Sequence, residues 1–86
     1  MLIKKEIYKA LDTLEYTIYY DIQKYLETLT DKTVRLGIPL SDYYEGNEAS
    51  SVFLDEDGVL LVQIIGSVVD FSSLSIQNKI DIAEAM

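Results

Sequence analysis

Apolar residues fall at Ile3, Ile7, Leu11, Leu14, Ile18, Ile22, Tyr25 and Leu29. Twenty-six residues over seven steps give a mean spacing of about 3.7, the period of an amphipathic helix. Neither glycine nor proline occurs before Gly37. The pattern therefore predicts one long N-terminal helix over residues 2–29, roughly 40 Å long at ~1.5 Å per residue. The stretch "EYTIYYDI" (15–22) is rich in β-favouring residues, so a strand is the alternative there. The helical phase continues through it unbroken, which favours the helix.

Beyond residue 32 the pattern changes. "TVRLGIPL" reads as a short extended segment ended by Gly37 and Pro39, and residues 41–51 read as a loop. "SVFLDEDGVLLVQII" is a hairpin signal: Val52–Asp55 and Val59–Ile65 flank "EDG", a three-residue connection with Gly58 in the left-handed position. The second strand is apolar on both faces, as in a central strand or one buried at an interface. "SVVDF" predicts a further short strand. The serines after it supply helix caps, with Ser73 favoured, and a last helix is expected from about Leu74 to Ala85 with Ile76, Ile80 and Ala83 on one face.

These elements predict an α+β fold in one domain, residues 1–86. It would comprise the long N-terminal amphipathic helix, a small antiparallel sheet around a β-hairpin at about 52–65, and a short C-terminal helix. A domain of 86 residues buries only roughly 60–65% of its unfolded surface and is marginal alone. Hydrophobic residues make up 49% of the chain, enough for a core.

Composition removes several function classes. There is no cysteine and no histidine, hence no disulfide framework and no ordinary zinc ligand set; no metal and no cofactor is expected. The N-terminus lacks the form of a signal peptide. The longest uncharged apolar run, Val59–Val69, is far short of the ~20 residues of a membrane span. A cytoplasmic protein is the expectation.

The net charge of −8 is unevenly spread. Residues 1–35 hold six bases and six acids, whereas residues 36–78 hold seven acids and no base. Such a field repels phosphate backbones and anionic membranes, so neither direct nucleic-acid binding nor membrane binding is expected.

Catalytic chemistry finds little support. Asp55 and Asp57 could pair for acid–base work, but a hairpin tip is too solvated to shift a carboxyl. "FLDEDGVLLVQI" places Gly58 as in a calcium-binding EF-hand loop, yet Phe53 and Ile64 stand where oxygen ligands are required. The serines have no histidine to activate them, and Lys79, the lysine nearest their cluster, suggests no more than a Ser–Lys pair. No phosphate-binding glycine pattern is present. The chain is not expected to be an enzyme.

The seven tyrosines say more. Tyr8, Tyr19 and Tyr25 lie on or beside the apolar stripe and read as core. Tyr16 and Tyr20 sit one turn apart on the opposite helix face, with Leu2, and form the candidate oligomer interface of a homodimer. Asp21 falls inside the apolar arc, either paired with a lysine or marking where the helix leaves its packing. In the middle of the chain, Asp42, Tyr43, Tyr44, Glu45, Glu48, Asp55, Glu56 and Asp57 combine carboxylates with aromatic rings. Those eight are the candidate partner-binding residues: the acids steer a basic protein and the rings anchor it. The resulting expectation is a small acidic, non-catalytic binding protein. It would act as an inhibitor or immunity-type protein, occluding a basic, nucleic-acid-acting partner as a nucleic-acid mimic does. Small virus-encoded inhibitors fall in the same physical class, an analogy of size and charge. The alternative is a homo-oligomeric scaffold module whose acidity confers solubility.

Overall fold

The computed structural model describes residues 14–41 and 48–86, with side chains of the first helix given from Thr17 onward. The elements are helix α1 (Leu14–Glu27), strands β1 (Thr33–Pro39), β2 (Glu48–Leu54), β3 (Leu60–Ile64) and β4 (Ser67–Asp70), a 3-10 turn (Phe71–Ser73) and helix α2 (Ile76–Ala85). The four strands form one antiparallel sheet in the order β1-β2-β3-β4. The fold is α+β. Of the expected long helix, residues 2–13 lie outside the described residues, together with Leu2 and Tyr8, so a long N-terminal helix is not shown.

Within α1, Ile18, Ile22 and Leu26 are fully buried. They stand four residues apart, one above another on the helix face. This corrects the stripe in one place. Leu26, and not Tyr25, is the third core residue, while Tyr25 is only half-buried. The strand alternative for residues 15–22 is overturned: these residues lie in α1, and Tyr20, which a strand would put on the same face as buried Ile18 and Ile22, is 50% exposed. The helix ends at Glu27 with a tightened turn, where Thr28 N and Leu29 N donate to Tyr25 O and Leu26 O.

The core lies between the sheet and the two helices. Leu60, Val62 and Ile64 of β3 point into it, with Val52 and Ala49 of β2 and Ile80, Ile82 and Ala83 of α2. β3 is an interior strand, as its two apolar faces suggested. β2 begins at Glu48, so residues 48–51 are strand and not the expected loop. The pairing shifts between Ala49 and Ser51, which sends Ala49 and Val52 to the same side although they are three residues apart. A period of two is broken by that extra residue. Ser50 Oγ donates to Gln63 O at 2.9 Å beside the irregularity.

The C-terminal helix also starts later than expected. Ser75 is its cap, with Asn78 N donating to Ser75 Oγ at 3.1 Å. Ser73 instead closes the 3-10 turn, donating from Oγ to Asp70 O. Leu74 is buried in extended conformation between the two, because its side chain must reach the core before the helix can begin.

Candidate functional site

The tip of the β2–β3 hairpin is built by its own acids. Asp55 N donates to Val59 O at 3.0 Å and Gly58 N to Asp55 O at 3.1 Å. The Asp55 carboxylate also accepts from Asp57 N at 2.9 Å and from Val59 N at 2.8 Å. Gly58, at φ +79°, occupies the left-handed position that the "EDG" connection predicted. Asp55 therefore shapes the turn, whereas Glu56 and Asp57 project into solvent. Asp55→Ala should cost about 1 kcal/mol and Asp55→Asn, which keeps an acceptor, much less. Urea denaturation of the two variants checks the difference.

Glu48 is exposed at the other end of β2. A strand of seven residues separates it from the hairpin tip by roughly 20 Å at ~3.3 Å per residue. Glu48 is thus not brought beside Asp55, Glu56 and Asp57, and Asp42, Tyr43, Tyr44 and Glu45 lie outside the described residues. Antiparallel pairing instead recruits acids from distant positions. Leu54 N donates to Lys32 O, which brings Asp31 beside the hairpin tip. Asp70 ends β4 opposite Leu61, one residue from the start of β3. Asp31, Glu56, Asp57 and Asp70 are all exposed at this end of the sheet. Asp70 also accepts from Ser72 N at 2.8 Å. Asp31 and Asp70 flank predicted strands in the sequence, but only the register shows that they join the hairpin tip. Among the described residues, no three acidic side chains are grouped so as to hold a metal ion.

The sheet face turned away from the helices carries two rows. Thr33, Phe53, Leu61 and Asp70 form one; Arg35, Ser51, Gln63 and Val68 form the other. Phe53 and Leu61 are half-buried and lie outside the core cluster, and Val68 is 50% exposed. Sequence periodicity missed this surface because the bulge in β2 hides which residues face outward.

No family model, curated protein or solved structure matches this chain.

On the helical layer, Tyr20 is 50% exposed, with Lys24 Nζ 5.9 Å from its ring centre. It stands two residues from both Ile18 and Ile22 and so points away from the core. The side chain of Tyr16 is outside the described set. A shallow groove of about 360 Å³ runs between β1 and α2, lined by Ile38, Pro39, Asp81, Glu84 and Ala85. Asp81 there accepts from Gln77 Nε2. Among the described residues, no helix is long and apolar enough to cross a membrane.

Proposed function

We propose that this chain is a small non-catalytic binding protein of the cytoplasm that engages a basic protein through the hairpin end of its sheet. The observation that carries this reading is the convergence of Asp31, Glu56, Asp57 and Asp70, all exposed, on adjoining strand ends. Neighbouring strands are ~4.8 Å apart, so the four carboxylates spread over roughly 14 Å of the sheet end, where Lys32 beside Asp31 is also exposed, and leave that edge net negative. In a chain of net charge −8 that edge attracts cations over a range of about 10 Å at 0.1 M salt. A partner whose own surface is built for phosphate would meet carboxylates in its place. Occupation of that surface is inhibition by occlusion.

The reading predicts a steep salt dependence. Immobilised wild-type protein should retain one basic protein stoichiometrically from nuclease-treated lysate of the organism that encodes it, released by moderate salt. An Asp31→Asn, Glu56→Gln, Asp57→Asn variant should retain about tenfold less, because each neutralised carboxylate removes part of the steering and pairing. Equal retention by both proteins ends this proposal.

A further inference from the structure

We propose that Asp57–Gly58 is a self-modification site, where aspartate isomerises to isoaspartate when the hairpin tip opens, and that Asp55 and Gln23 hold its rate down. The inference goes beyond the reading of the acidic end and does not rest on a partner.

The covalent chemistry belongs to the dipeptide. Asp57 is the one aspartate of the chain followed by glycine, and no asparagine is. Glycine has no Cβ to hinder the approach of its nitrogen to the preceding carboxyl. Gly58 N bonds to Cγ of the protonated Asp57 carboxyl, and the amide proton leaves with the carboxyl hydroxyl as water. The product is a five-membered succinimide. Water then adds back to either ring carbonyl. Cleavage of the N–Cγ bond regenerates aspartate. Cleavage of the bond from nitrogen to the α-carbonyl leaves the main chain routed through Cβ and Cγ, which is isoaspartate. One water leaves and one returns, so no co-reactant is needed and the mass is unchanged.

The site has room for the ring, since Asp57 is exposed and no atom stands within 4 Å of where a Gly58 side chain would begin. The folded turn nevertheless withholds the nucleophile. Gly58 N donates to Asp55 O at 3.1 Å, and neither Glu56 nor Asp57 has a positive φ. The connection is therefore a type I turn with Asp57 at its third position, where ψ is about 0° and Gly58 N eclipses Asp57 N. Ring closure needs Gly58 N to eclipse Cβ instead, a rotation of about 120° from the ψ of that turn. That rotation breaks the bond to Asp55 O.

The groups on either side are held as well. The Asp55 carboxylate accepts from Asp57 N at 2.9 Å and from Val59 N at 2.8 Å. Gly58 O accepts from Gln23 Nε2 of α1 at 2.7 Å. The reaction thus proceeds through the open fraction of the tip, and a helix distant in sequence helps to set that fraction. Isoaspartate adds one atom to the main chain of a three-residue connection, so the same turn cannot be remade. The product is a lasting covalent record of tip opening.

Peptide mapping with electron-transfer mass spectrometry measures isoaspartate at residue 57 after prolonged incubation at neutral pH. The folded protein is compared with the same chain unfolded in urea, which gives the intrinsic rate. Folded wild type should react at least about tenfold more slowly than the unfolded chain, because the tip is mostly closed. Asp55→Ala and Gln23→Ala should each raise the folded rate by about fivefold, the effect of one net hydrogen bond. Asp55→Asn, which keeps an acceptor, should stay near wild type. Hydrogen exchange of the Gly58 amide should quicken by the same factor as isomerisation in each variant. Asp57→Glu, whose ring would have six members, should lose the product. Circular dichroism confirms folding, and Gln23 lies outside the turn, so its substitution stays informative where Asp55→Ala alters the tip. Equal rates in the folded and unfolded wild type overturn the proposal. So does a folded rate indifferent to both Asp55→Ala and Gln23→Ala, or the absence of isoaspartate from folded Asp55→Ala. No partner enters any of these measurements, so their failure and that of partner capture are read separately.

Discussion

Phe71→Ala should destabilise the protein by about 3–5 kcal/mol, the range for emptying a fully buried aromatic site. Phe71 heads the fully buried side chains by volume. It stands at the start of the 3-10 turn, where the chain leaves the sheet for α2. Its ring meets Tyr19 of α1 edge to face, 6.1 Å between centres and 64° between planes. Tyr19 in turn accepts a hydrogen bond at its hydroxyl from Leu60 N, at 3.1 Å. One aromatic pair thus ties α1 to the sheet and to the final connection. Small domains have only about 5–15 kcal/mol in all, so the variant should be near its folding threshold. Urea denaturation at equilibrium gives the value. Tyr19→Phe is the control: it keeps the ring and removes only the acceptor, and should cost about 1–2 kcal/mol. A Phe71→Ala midpoint close to that of Tyr19→Phe would mean that the cavity collapses and that the pair is not the anchor.

Asn78→Ala should be the next largest, at about 2–3 kcal/mol, because it leaves a backbone donor without its acceptor in a partly buried place. Asn78 is fully buried. Its Oδ1 accepts from Ser41 N at 3.0 Å and from Ser41 Oγ at 3.1 Å, across 37 residues of sequence. These bonds fix the end of β1 to the first turn of α2. Ser41→Ala removes only the hydroxyl and should cost about 1 kcal/mol. In a double-mutant cycle the two substitutions should be clearly non-additive, which thermal or urea melts of the four proteins can measure. Additive losses would show that the Ser41 hydroxyl contributes nothing through Asn78.

Asn78 also illustrates what a sequence hides. It sits among serines and acids in a stretch that reads as the exposed side of a short helix, and nothing local says that its partner is Ser41. The cap of α2 was misplaced for a related reason. Three serines lie within a few residues, and the choice of Ser75 over Ser73 depends on Leu74 reaching the core.

The partner-binding residues divide in the same way. The role of Gly58 and the position of the hairpin follow from "EDG" alone, because a turn is decided by the conformations open to a few consecutive residues. That Glu48 lies a strand length away from Asp57, while Asp31 and Asp70 share its end of the sheet, follows from pairing between distant segments.

The sequence by itself determined the helical phase of Ile18 and Ile22, the hairpin and the excess of negative charge, and left β3 as either a central strand or one buried at an interface. These are properties of periodicity, local turn chemistry and composition, each complete within a short window. The tertiary structure alone decided which acids meet, which face of the sheet the helices cover, and that Phe53, Leu61, Arg35 and Asp70 share the other. The reason is physical: a one-residue bulge at Ser50 reverses which side chains face the core, and its position is fixed by the long-range fit of β2 between its two neighbours.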